Sequence, residues 1–273
     1  MIQGNNNLSV LPFYTSIDEQ NHRRSYAYGD IYPLYTPTGN IPPFQIVIPH
    51  ALISITSVTV YTPDGTQVGG NVLSALTAGG LAKYNFTDYD VIVYPASQAA
   101  GVMANEGQYY IIVETSDGAA YYSDIMTAVG VISPYLKIEW NDREDLIMDG
   151  ERIVYQLTNS AIFKNRLYLC TEVGKPDYEF EEQGETRDGL FFPEKMLSEK
   201  KYKFQFLASE YLCDVMRFIR MSDVIKITDK YGRVYNCDTF LMTPKWETQG
   251  NLASVEVEFQ TNTVAKRIGR NFT

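Results

Sequence analysis

The stretch KYKFQFLASEYLCDVMRFIRMSDVIKITDKYGRVYNCDTFLMTPKWETQGNLASVEVEFQ, residues 201–260, decides the fold. At its start Tyr202, Phe204 and Phe206 alternate with Lys201, Lys203 and Gln205. Side chains alternate across a pleated strand, so one face of this segment is apolar and the other wet. The end repeats the pattern, with Val255, Val257 and Phe259 against Glu256, Glu258 and Gln260. Both segments read as half-buried antiparallel strands. Between them Ser209 is placed to cap a helix, because its hydroxyl can accept an amide hydrogen bond left over in the first turn. Glu210 follows at the positive end of the helix dipole. Leu212, Val215, Met216 and Ile219 then fall at i, i+3, i+4 and i+7 and form one apolar stripe, with Arg217 and Arg220 near the C-terminal end. The pattern predicts a single α-helix over about 209–222. Turns at 229–232 and 248–251 separate DVIKIT, RVYNCDTFLM, PKWE and the closing strand.

Working outward, LKIEW (136–140), RIVYQL (152–157) and FKNRLYL (163–169) read as further strands of the same region. The segment PDYEFEEQGETRDG (176–189) has too little apolar content for a core. Upstream, FQIVIP, SVTVYTPDG, YDVIVYP, QYYIIVETSDG and AAYYSDIMTAV each end in proline, Asp-Gly or a polar break, the pattern of an antiparallel sandwich. Asp117-Gly118 suits a tight hairpin that needs a positive φ. The Gly- and Ala-rich stretch 69–82 fits either a loop or a short helix.

Six of the 12 prolines lie in the first 50 residues: Pro12, Pro33, Pro37, Pro42, Pro43 and Pro49. Proline fixes φ and lacks an N–H, so this tract is expected to run extended. Its many aromatics need a surface to lie on, either the chain's own sandwich or a neighbouring subunit. The chain as a whole is expected to be mainly β, with two antiparallel β-sandwich or barrel-like domains. Its parts are an extended arm at 1–43, a sandwich at 44–132, a second β-domain at 133–263 carrying the helix, and a basic C-terminal arm at 264–273. A charge shift supports the middle boundary. Residues 1–134 hold three basic and ten acidic side chains, and the remainder holds 20 basic and 23 acidic ones.

The net charge of −10 argues against direct recognition of nucleic acid, whose binding rests on Lys and Arg neutralising phosphates. No apolar run approaches the roughly 20 residues that span a bilayer. The start, MIQGNNNLSVLPFY, shows neither the basic nor the apolar region of a secretory signal, so synthesis and folding in the cytoplasm are expected. Cys170, Cys213 and Cys237 have no metal or disulfide spacing and read as small buried thiols.

Candidates for chemistry are sparse. His22 and His50 have no Cys or second His at ligand spacing, so a zinc site or a histidine triad is disfavoured. No Gly-rich phosphate loop occurs. We expect no enzyme activity, no cofactor and no metal. The carboxylates Asp177, Glu179, Glu181, Glu182, Glu185 and Asp188 could serve a glycosidase or calcium. They also suit a charged strand edge that discourages strand addition, or a subunit contact. Tyr109, Tyr110, Tyr121 and Tyr122 sit on facing strands of one hairpin, so one of each pair is expected to point outward, with Tyr110 and Tyr122 as candidate glycan contacts. The tail VAKRIGRNFT carries Lys266, Arg267 and Arg270 without an acid, and a basic arm of this kind can pair with an acidic patch on a neighbouring copy. Candidate subunit contacts are Arg23, Arg24, Glu179, Glu181, Glu182, Lys266, Arg267 and Arg270.

FKNRLYL, the acidic segment, FFPEKMLSEKKYKFQFLASEYLCDVMRFIRMSD, ITDKYGRVYNCDTF and WETQGNLASVEVEFQTNT together resemble structural proteins of tailed bacteriophages and of prophages of gut bacteria. The order of strand, helix, hairpin and long closing strand is similar to the domains of tail-tube, distal-tail and baseplate-hub proteins. The resemblance covers about residues 160–268, and residues 40–130 look like immunoglobulin-like or fibronectin-like modules. It implies a non-enzymatic virion component, a tail, baseplate or neck adaptor, that assembles with itself into a ring and with other virion proteins in the host cytoplasm. A carbohydrate-binding surface adhesin and a carboxylate-dependent glycosidase are the alternatives.

Overall fold

The computed structural model describes residues 9–20, 34–50, 52–95, 102–142, 162–188, 190–246, 252–261 and 265–268. They form a mainly β protein with three sheets, largely antiparallel. The predicted strand at 152–157 and the turn at 248–251 lie outside the described residues.

The N-terminal part holds β1 (Phe13–Tyr14), β2 (Leu34–Pro37), β3 (Phe44–Pro49), β4 (Ile55–Tyr61), β5 (Gln67–Val68), β6 (Ala82–Asn85), β7 (Tyr89–Tyr94), β8 (Gly107–Thr115), β9 (Ala120–Ser123) and β10 (Met126–Val129). One sheet is built around β8, which pairs β4 along one edge and β9 then β10 along the other. The predicted single strand at 119–129 is thus broken between Ser123 and Met126. β1 and β2 are edge strands of this sheet, β1 antiparallel to β9 and β2 parallel to β10. The described parts of the proline-rich tract therefore pack on their own chain, with Val10, Leu11, Phe13 and Tyr14 buried. A three-stranded sheet, β3-β7-β6, faces it. Phe13 meets Phe44 at 4.9 Å and Phe44 meets Tyr94 at 5.4 Å between ring centroids, closing the layer between the two sheets. The Gly- and Ala-rich stretch contains a short helix, α1 (Leu73–Ala78), pinned by Leu76, which is fully buried.

The C-terminal part holds β11 (Leu136–Asn141), β12 (Asn165–Leu169), β13 (Asp177–Arg187), β14 (Leu190–Ser209), α2 (Glu210–Met216), β15 (Val224–Thr228), β16 (Val234–Trp246), β17 (Leu252–Thr261) and β18 (Ala265–Ile268). The sheet order is β12-β11-β15-β16-β17-β14-β13, with β18 also on β14. The alternation at 201–208 and 254–260 forms the pairing β14–β17, running from Lys201 opposite Gln260 to Ser209 opposite Leu252. Phe259 is fully buried, with the rings of Tyr202, Tyr235 and Phe204 at 5.4, 5.6 and 6.1 Å. Ser209 caps α2 as expected, accepting the Leu212 N–H at 3.3 Å. Leu212, Val215, Met216 and Ile219 are all buried. The α-helix stops at Met216, and a 3-10 turn over Ile219–Met221 finishes the stretch with i→i+3 bonds, so the predicted helix is two short pieces. The turn after β15 is an Asx turn: Asp229 Oδ1 accepts from Tyr231 N and Arg233 N, each at 2.9 Å, and Gly232 supplies φ +77°.

The two parts share one hydrophobic core running from Val10 to Phe259. Tyr35 and Tyr135 pack ring to ring at 4.5 Å, and the Tyr211 hydroxyl on α2 donates to the Ser9 carbonyl at 2.6 Å.

Candidate assembly surface

β14 is 20 residues long, and only its second half lies in the body of the sheet. Its first half pairs with β13 on one edge and with β18 on the other, making a three-stranded arm. At a strand rise of about 3.3 Å per residue, the eleven residues of β13 reach about 35 Å. Every side chain from Asp177 to Thr186 is exposed. No described arm residue from 177 to 198 joins the hydrophobic core.

The arm's two faces differ. Alternation continues from the body outward, so Tyr178 and Phe180 stand opposite Lys200 and Ser198 on the side that faces the core further along β14. There they are 57% and 70% exposed. Lys200 lies 5.7 Å from the Tyr178 ring centroid. The other face is a charge ladder. Lys201 pairs with Glu179 at 2.6 Å, and Lys203 with Glu258 at 3.2 Å and Asp177 at 3.8 Å. The hydrogen bond that Lys201 donates to Glu179 holds its ammonium above the usual range, as the bond donated to Glu258 does for Lys203. Gln260 donates to Glu199 at 2.8 Å. Farther out, no ion pair among the described residues reaches Glu181 or Glu182.

The predicted site residues separate accordingly. Glu179, Glu181 and Glu182 lie together on β13, and Lys266 and Arg267 lie on β18 at the opposite edge of the same arm, in register with Leu197 and Met196. The segment that suits a charged strand edge is a strand with one register shift, between Gln183 and Gly184, and its outer edge is unpaired among the described strands. Arg23, Arg24 and Arg270 lie outside the described residues. Tyr110 is a correction: both Tyr109 and Tyr110 are buried, because β8 is an interior strand with packing on both faces, and Tyr110 stacks on Tyr61 at 5.6 Å. Tyr122 is half-buried, opposite Tyr14 and Ile112. Cys170 is also corrected: it is exposed just past the end of β12, while Cys213 and Cys237 are buried.

Two polar clusters escaped the sequence reading. Asp90, fully buried in β7, binds His50 Nδ1 at 2.8 Å and Lys83 Nζ at 2.9 Å. The signal was an Asp in the otherwise apolar strand YDVIVY. Just past the end of β11, the buried Asp142 accepts the Asp223 N–H at 2.9 Å through Oδ1, while its Oδ2 and the side-chain Oδ1 and Nδ2 of buried Asn165 have no hydrogen-bond partner among the described residues. Burial pushes the Asp142 carboxyl above its usual range, partly offset by the Asp223 N–H, with the Asp223 charge adding to the rise. Among the described residues no group of three or more His, Cys, Asp or Glu side chains could hold a metal ion, and no helix is long and apolar enough to cross a membrane. No family model, no curated protein and no solved structure matches the chain.

Proposed function

We propose that this chain is a non-enzymatic structural subunit of a phage-type virion, a tail or baseplate adaptor that assembles with itself into a ring. The observation that carries the reading is the arm: its β13 strand reaches about 35 Å, is exposed on both faces from Asp177 to Thr186, and holds Tyr178 and Phe180 at 57% and 70% exposure. A sheet in a lone globular protein commonly buries one face. Exposed aromatics on a projecting strand are the composition of a protein contact. The catalytic alternative finds less support, because Glu179 and Glu181 stand exposed on this strand and not in a cleft among the described residues. The glycan-binding alternative loses one of its two tyrosines to the core.

Sedimentation velocity over a concentration series, with negative-stain electron microscopy, tests the proposal. The expected result is a ring, formed by the chain alone or with the virion proteins it joins. A monomer at every concentration, alone and with those proteins, overturns it.

A further inference from the structure

The arm has two free edges of opposite charge. β13 carries Asp177, Glu179, Glu181, Glu182 and Glu185 against the single Arg187, whereas β18 is the short basic strand AKRI. Each pairs only with β14 among the described strands, so neither has a second strand along its outer edge among the described residues. Two β13 edges brought together would juxtapose carboxylates, and two β18 edges would juxtapose cations. An acidic edge meeting a basic edge has neither penalty.

From this complementarity we propose that the arm is a heterologous joint: the β13 edge of one copy adds to the β18 edge of the next. This rests on the ring-forming reading above and names the surfaces that join. Both strands are antiparallel to β14, so they run in the same direction, and copies set side by side pair in parallel. Such a step is not self-complementary. It repeats until it closes as a ring or extends as a filament. It also keeps faces aligned, so Tyr178 and Phe180 of successive copies line one side of a continuous sheet. β18 offers only four residues of ladder. A single joint is therefore weak, and assembly depends on concentration and on closure.

The test uses two full-length variants at low ionic strength. Glu181→Lys with Glu182→Lys puts two cations midway along β13 and takes that strand from a formal charge of −4 to 0, and Lys266→Glu with Arg267→Glu makes the β18 edge acidic like β13. Wild type is expected to sediment faster as concentration rises. Each variant alone is expected to remain monomeric, its self-association weakened by about tenfold or more. An equimolar mixture is expected to regain association, because joints between unlike variants set the introduced lysines beside the introduced glutamates and the native acidic β13 beside the native basic β18, and added salt is expected to reverse it. Circular dichroism checks folding, and Glu181→Gln with Glu182→Gln supplies a milder pair whose association falls between wild type and the lysine variant. Variants that assemble like wild type, or a mixture that stays monomeric, overturn the joint while leaving a ring-forming subunit intact. Wild type that never associates, alone or with other virion proteins, overturns both.

Discussion

At the scale of single residues, the informative groups are those whose surroundings contradict their chemistry. Asp142 is buried with one carboxylate oxygen unpartnered, and its carboxyl sits above the usual range because burial disfavours the charge. The folded state therefore holds that proton more tightly than the unfolded chain does. Its contribution to stability is complete below the unfolded carboxylate value and falls as pH rises through the folded one. Asp142→Asn keeps an oxygen for the Asp223 N–H and removes the charge. Its stability is expected to exceed wild type at neutral pH and to converge with it in acid, as read by urea denaturation at several pH values. An equal difference at every pH would sink this account. The thiols make a second contrast. Burial pushes Cys213 up to about 11 and Cys237 up to about 12, while Cys170 is exposed. A thiol reagent at neutral pH is expected to label one cysteine quickly and the other two only when the protein unfolds. Fast labelling of two would show that α2 or β16 opens locally.

At the scale of elements, the body and the arm obey different accounting. Phe259 is enclosed by three aromatic rings, so Phe259→Ala is expected to cost about 3–5 kcal/mol. Phe180 is 70% exposed, and Phe180→Ser is expected to change monomer stability by less than about 0.5 kcal/mol while weakening self-association. Equilibrium denaturation and sedimentation on the same two variants separate these effects, and a large loss of stability from Phe180→Ser would place the arm in the core. The helix adds a third case: Ser209→Ala removes the acceptor for Leu212 N–H and is expected to cost about 1 kcal/mol. Local pattern made the body legible. Alternation at 201–208 and 254–260 and the stripe from Leu212 to Ile219 mark elements and inner faces without reference to the rest of the chain. The arm was harder, because Tyr178 and Phe180 alternate among carboxylates just as they would on a charged strand edge or in a loop. Alternation says which side chains share a face, and not whether anything covers it. That β18 lies across β14 from β13 is a matter of register between segments about 80 residues apart, and no local signal encodes it.

At the scale of the whole molecule, the question is whether the change of composition near Ser133 and Pro134 is also a break in cooperativity. The charge asymmetry is plain in the sequence, but contacts across it are not, since they join residues as distant as Ser9 and Tyr211. The hydrophobic core is continuous from the N-terminal sandwich into the large sheet, and Tyr35 against Tyr135 reinforces the join. Apolar surface shared between two parts stabilises each only while the other is folded, which couples their unfolding. The full chain is expected to melt in a single transition, with calorimetric and van't Hoff enthalpies in agreement. Tyr211→Phe, which removes the hydroxyl that donates to the Ser9 carbonyl, is expected to lower that midpoint by an amount equivalent to about 1 kcal/mol without splitting it. A fragment of residues 133–273 is expected to melt lower and less cooperatively than the intact chain, because Tyr135 and Tyr211 lose their partners. Two resolved transitions, or a fragment that keeps the midpoint of the full chain, would mean that the shared core adds area without coupling.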